Sequence, residues 1–237
     1  MPKAVVHIGT HKTGTSSFQF WGDSNRAEIE RVTGLRFYSS AWGRSMIEFP
    51  ILAVRPELDL HVRVQGGGGR ITPKVEQEMR EHIRSQLDGQ DLIISAEGLS
   101  FIRSAEEVDR LRELLDPYEL EFIVALREKS DFLSSYTQWM EKVQIKQSDD
   151  PNSVRYVGAD SWILDFDKFP PLFPGILIVD YDQAMREQGS VIPAIMERLG
   201  ADTSMLPPWS EFKLNPAPMR QRYMMLRRVK RRLVRKA

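Results

Sequence analysis

The sequence predicts an α/β domain of three layers, a mostly parallel sheet with helices on both faces. Two observations predict it. Apolar runs of four to seven residues recur along the chain and alternate with amphipathic stretches. That is the pattern of strands buried on both faces and of the helices that cover them. The first such run, Ala4 to Ile8, breaks into Gly9-Thr10-His11-Lys12-Thr13-Gly14-Thr15-Ser16-Ser17. A glycine- and hydroxyl-rich turn that leads from a strand into a helix is how an anion site is built: the backbone N–H groups converge and the helix adds its positive end. At 237 residues the chain suits one such domain with a sizeable core.

The elements follow in order. Thr15 to about Val32 reads as one helix, with Phe18, Phe20 and Trp21 at its buried end. Leu35 to Tyr38 suits a second strand and Met46 to Val54 a short helix, while Leu58, Leu60, Val62 and Val64 alternate with polar residues as in a strand. Gly66 to Gly69 lack nucleotide-binding spacing and read as a linker or mobile lid. Thr72 and Pro73 open a helix to about Leu87. Asp91 to Ser95 is a buried strand ending in Ala96-Glu97-Gly98, and Ser104 to Glu107 form a capping box for a helix to Leu115. Leu120 to Leu126 is a strand that ends on Arg127. Ser130 is expected to cap a helix through about Lys146, and Ser161 to Phe169 to form another. Ile176 to Val179 is the last strand, and Asp182 to Leu199 a helix interrupted near Gly189 and Pro193. Ligands of such sheets sit at the carboxyl ends of the strands. Lys12, Glu97 and Arg127 each follow one of those ends.

Composition excludes some chemistries. The absence of cysteine rules out disulfides, a thiolate metal site and a cysteine nucleophile. Pro2 and Lys3 lead straight into a strand, and no apolar stretch approaches the ~20 residues that span a bilayer, so a cytoplasmic protein is expected. The formal net charge of zero hides an asymmetry. Residues 220–237 carry nine Lys or Arg and no acid, so residues 1–219 hold 24 of the 33 basic residues against all 33 acidic ones, a net of −9. We divide the chain into a domain, 1–219, and a basic tail, 220–237. In the tail Met225, Leu226, Val229 and Leu233 fall at helical spacing among the cations. Peripheral contact with an anionic inner-membrane surface is one expectation for it, and a solvated end is another. With so acidic a body, no nucleic-acid partner is expected.

The position of the lysine narrows the ligand. A nucleoside-triphosphate loop reads G-x-x-x-x-G-K-[ST]. Gly9 and Gly14 have that spacing, but Thr15 stands where the lysine belongs, and Lys12 precedes Gly14 by two residues. Lys12-Thr13-Gly14-Thr15-Ser16 instead matches K-[ST]-G-T-[ST] and resembles the 5′-phosphosulfate loop of sulfotransferases, most closely the bacterial-type and carbohydrate branch. Arg127 at a strand end, Ser135 eight residues on and Tyr136 beside it resemble that family's 3′-phosphate segment. Ser130 and Phe132 stand where the family often has a Pro and a second Arg.

The resemblance implies a P-loop NTPase-like sulfotransferase fold and a donor, 3′-phosphoadenosine 5′-phosphosulfate, that leaves as 3′-phosphoadenosine 5′-phosphate. It implies donor binding by Lys12, Thr13, Gly14, Thr15, Ser16, Arg127 and Ser135, with no metal. The acceptor would be a hydroxyl on a glycan, a glycolipid or a small alcohol. Glu97 stands where the family places its catalytic base, and a carboxylate that orients Lys12 or an arginine is the alternative reading. His11, beside Lys12, is the competing base. Trp42 is a candidate for stacking on the adenine, with core packing as its other reading. His7 reads as packing, and His61 and His82 lie on segments read as exposed. A P-loop small-molecule kinase is the rival enzyme, favoured by the apolar run that ends in Asp180. A non-catalytic nucleotide-binding protein of the same fold is the third reading.

Overall fold

The computed structural model describes residues 1–64 and 71–212. The Gly66–Gly69 stretch and the 220–237 tail lie outside the described residues. Five strands, β1 (Lys3–Ile8), β2 (Arg36–Phe37), β3 (Leu92–Ala96), β4 (Glu119–Leu126) and β5 (Leu177–Asp180), form one sheet in the order β2-β3-β1-β4-β5. Every pairing is parallel. In chain order the helices are α1 (Thr15–Ser24), α2 (Arg26–Thr33), α3 (Glu48–Ala53), α4 (His61–Val64), α5 (Pro73–Gln86), α6 (Ala105–Leu114), α7 (Lys129–Lys142), α8 (Phe169–Leu172), α9 (Tyr181–Glu187) and α10 (Val191–Arg198).

All of β3 and all of β1 after Lys3 are buried at consecutive positions. Because side chains alternate between faces, both faces of the central strands are covered. Right-handed crossovers send the β1-to-β2 connection to one face and the later ones to the other. The packing agrees: α1 touches β3 and α10, α10 touches β4 and β5, and α3, α5 and α6 pack on one another. The three-layer α/β expectation holds.

Several local expectations need correction. The expected first helix is two, with the break at Asn25 (φ −123°), whose backbone N–H and side-chain amide both donate to Trp21 O at 3.1 and 2.8 Å. The 58–64 stretch is no strand and ends in the single turn α4. The Arg63 guanidinium donates to the carbonyls of Ile51, Val54, Arg55 and Leu58 and gathers the segment into a knot. The cap of α7 is Glu128, whose carboxylate accepts the Asp131 N–H at 3.0 Å, so the helix starts before Ser130 and ends at Lys142. Residues 161–169 form two 3-10 turns leading into α8, where Pro170 and Pro171 withhold N–H donors. The final break falls at Gly189, with φ of 64°. Pro193 sits in the first turn of α10 and breaks nothing. The Thr72 cap with Pro73 behind it and the Ser104–Glu107 capping box are present as expected.

Candidate active site

Lys12, Glu97 and Arg127 leave the same edge of the sheet, since Ile8 is level with Ala96 and His7 with Ile123. Hydroxyls shape the loop between β1 and α1. Thr13 Oγ1 and Thr15 Oγ1 donate to Thr10 O at 2.8 and 3.1 Å, and Thr10 Oγ1 donates to Ala125 O at 2.7 Å on β4. All three threonines are buried, and the hydroxyls of Thr13 and Thr15 are spent on the loop's own carbonyl. Gly14 precedes α1 at φ 77°, and no side chain caps the helix, which leaves the positive end uncovered around half-buried Ser16. Lys12 adopts φ 65°, a left-handed conformation that costs a non-glycine residue on the order of 1–3 kcal/mol. Gly9 is required by close approach: a Cβ there would stand 2.4 Å from Thr15 Cγ2 and 3.0 Å from Glu97 Cα. Glu97 is thereby seated against the start of the loop.

The Glu97 side chain is partly buried and accepts no hydrogen bond from a described residue. Burial pushes its pKa up to about 7, against the pull of Lys12. Lys12 is itself partly buried. Burial holds its ammonium below the usual pKa, with Glu97 opposing and Lys142 and Arg127 reinforcing the shift. Lys12 therefore stands between one carboxylate and two further cations.

His11 points elsewhere. Its ring packs against Phe101, Tyr136 and Trp139 at centroid distances of 5.1, 5.2 and 5.5 Å. Its Nδ1 has no hydrogen-bond partner. Burial, then the nearby charges of His61 and Lys12, pushes its pKa down to about 3. His61 is half-buried, with its ring 5.3 Å from Trp139. His7 is buried, with Nδ1 2.8 Å from Ser95 Oγ, as packing requires. His82 Nε2 lies 2.7 Å from Ser39 O, and Trp42 packs on its ring at 5.4 Å. No contact among the described residues links Trp42 to the loop or to Arg127.

Arg127 follows the end of β4 with its side chain 22% exposed. Its guanidinium lies over the Tyr181 ring at 5.5 Å, and that ring also approaches Gly14, 3.6 Å from where a Cβ would be. Ser135 sits on α7, partly buried, and no hydrogen bond joins it to Arg127 among the described residues. Helical spacing puts Ser135, Trp139 and Lys142 on one stripe. Trp139 meets His11, and Lys142 acts on Lys12, so the stripe faces the loop. The sequence reading passed over Trp139 and Lys142, and their spacing of four and seven residues from Ser135 is the signal that was available. Among the described residues no group of three or more His, Asp or Glu is arranged to hold a metal ion, and no helix is long and apolar enough to cross a membrane.

No protein-family model matches the chain, and no curated protein matches its sequence. Among solved structures the chain is similar to a sulfotransferase from Alicyclobacillus acidocaldarius, with 12% identity and a TM-score of 0.54 over 92% of this chain and 87% of that one. At that identity the likeness shows a shared fold. The chain is also similar to a gluconokinase from Sinorhizobium meliloti (16% identity, TM-score 0.42, 84% and 92% covered). A sugar kinase from a Janibacter species follows (12% identity, TM-score 0.38, 88% and 100% covered). The parallel α/β fold that the resemblance implies is the fold found, and it is shared with that sulfotransferase.

Proposed function

We propose that the protein is a sulfotransferase that moves the sulfuryl group of 3′-phosphoadenosine 5′-phosphosulfate to an acceptor hydroxyl, on a carbohydrate or glycolipid first and a small alcohol second. The observation that carries the reading is Glu97, a carboxylate with a pKa near 7 and no hydrogen bond from a described residue, set beside an unpaired lysine at a strand end. A general base works best with its pKa close to the working pH. His11, with a pKa near 3, stays neutral and weakly basic in the same range, and its place is in the wall of the site.

The residues present suit the donor. Lys12 makes no ion pair within 4 Å among the described residues, the start of α1 is uncapped, and the buried Nε of Arg127 has no hydrogen-bond partner. When bound, the donor supplies the sulfuryl group, whose bond to the acceptor oxygen forms as its bond to the 5′-phosphate oxygen breaks. Glu97 takes the acceptor's proton. Lys12 and the N–H groups of Thr13 to Ser16 stabilise the charge that grows on the departing oxygen. Arg127 and Ser135 hold the 3′-phosphate of the nucleotide that leaves. A sulfuryl group carries less negative charge than a phosphoryl group, so protein cations suffice for this transfer.

The Asp180 carboxylate, the feature that favoured a kinase, accepts the Gln183 N–H at 2.8 Å and caps α9. It stands at the end of a strand two places from β1, about 10 Å across the sheet. The same proposal keeps the enzyme in the cytoplasm, with its basic tail meeting anionic membrane lipid. A transfer screen with ³⁵S-labelled donor against glycan, glycolipid and small-alcohol panels, with and without chelator, tests it. Labelled product that is indifferent to chelator is the expected result. Phosphoryl transfer from ATP that requires magnesium, without sulfuryl transfer, would overturn it.

A further inference from the structure

We propose that Asp182 is a positioning residue for Arg127, and that through it the site favours nucleotides carrying a 3′-phosphate. The proposal rests on the reading above, in which Arg127 takes that phosphate.

The end of β5 lies level with the end of β4, Asp180 opposite Leu126, so Tyr181 and Asp182 run alongside Arg127 and Glu128. The two oxygens of Asp182 do different things. Oδ2 accepts the Glu128 N–H at 2.9 Å, and Oδ1 lies 3.6 Å from Arg127 Nε. On the other side Asp131 stands 3.7 Å from a terminal guanidinium nitrogen, and the Tyr181 ring lies across the face. Both carboxylate distances exceed a hydrogen bond. The guanidinium therefore rests on the ring face and forms no hydrogen bond to either carboxylate.

The other arginine–carboxylate pairs among the described residues close to 3.1 Å or less. Arg26 meets Asp23 at 2.6 Å and Arg155 meets Asp59 at 2.7 Å. The Asp182 pair stays open at 3.6 Å while its other oxygen accepts the Glu128 N–H. The arrangement fixes the main chain at the base of Arg127 and aims the side chain, yet leaves the guanidinium fork to a partner of matching geometry. A phosphate monoester dianion is that partner, because it can accept two parallel N–H bonds at once.

Calorimetry on the full chain tests this with two probes, 3′-phosphoadenosine 5′-phosphate and adenosine 5′-phosphosulfate, which lacks the 3′-phosphate. Asp182→Ala should weaken the first by about tenfold and the second by less than about twofold. Asp182→Asn keeps an oxygen for the Glu128 N–H and should stay within about threefold of wild type for both. If the alanine variant does not fold, Asp182→Ser, too short to reach that N–H, takes its place with the same expectation. Equal losses for the two nucleotides, no loss for either, or an Asn variant as weak as Ala would each overturn the positioning role while wild-type binding leaves the sulfotransferase reading standing. Wild-type protein that binds neither nucleotide sinks that reading, and this proposal with it.

Discussion

Replacing Glu97 with Gln should stabilise the protein and silence it, and the first effect has a pH dependence that follows from the structure. Burial raises the Glu97 pKa from 4.5 to about 7. A carboxyl that holds its proton more tightly in the folded state opposes folding wherever the unfolded chain has already lost that proton. Below pH 4.5 both states are protonated and nothing is lost. Between 4.5 and 7 stability falls as pH rises, and above 7 the full cost stands. At 1.36 kcal/mol per pH unit this reaches roughly 3 kcal/mol at pH 8 and about 1 kcal/mol at pH 5. Glutamine removes the cost and keeps the shape. For a chain of this size 1 kcal/mol moves Tm by about 2–4 °C. The variant should therefore melt some 6–12 °C above wild type at pH 8 and only a few degrees above it at pH 5. Paired thermal scans at the two pH values read this directly. Turnover in the sulfuryl-transfer assay should drop by about two or more orders of magnitude, and wild-type activity should rise with pH through about 7. A Tm gap that is the same at both pH values would refute the buried, raised carboxyl. A variant that keeps more than about a third of wild-type turnover would remove Glu97 as the base.

Lys12→Ala removes a cation that pulls the Glu97 pKa down. Turnover should fall, and the remaining activity should titrate at a higher pH than wild type in a pH–rate series. Arg127→Ala should weaken 3′-phosphoadenosine 5′-phosphate by ~1.5–3 kcal/mol, the range for a hydrogen bond to a charged group, and adenosine 5′-phosphosulfate much less. Equal losses in calorimetry would count against its assignment to the 3′-phosphate. Deleting residues 220–237 should leave donor binding unchanged and abolish salt-sensitive sedimentation with anionic liposomes. Unchanged sedimentation would make the tail a bystander.

The loop and the strand-end groups were legible because they depend on chemistry within a few residues. Lys12, Glu97 and Arg127 could be placed on one sheet edge from the parallel topology alone. What escaped depends on groups far apart in sequence or on competition between near-equal partners. Trp139 and Lys142 reach the loop only because α7 lies across it, from a start that Glu128 and not Ser130 defines. The alternation from Leu58 to Val64 has a strand's period, yet the carbonyls gathered by Arg63 give that segment another way to satisfy its backbone. At Asn25 the backbone leaves the helical region while its N–H and its side-chain amide both end the first helix on Trp21 O. Propensity alone does not say which wins.

The hydroxyls of Thr13 and Thr15 close on Thr10 O and that of Thr10 ties the loop to β4, so its curvature needs no anion to hold it. The ordering entropy of these residues, on the order of 1–2 kcal/mol each, is lost when the chain folds and not when a ligand arrives. Recognition is then a matter of timing. An incoming anion finds its donors in place, its association rate is set by encounter and charge, and discrimination between similar anions lies in how long each one stays.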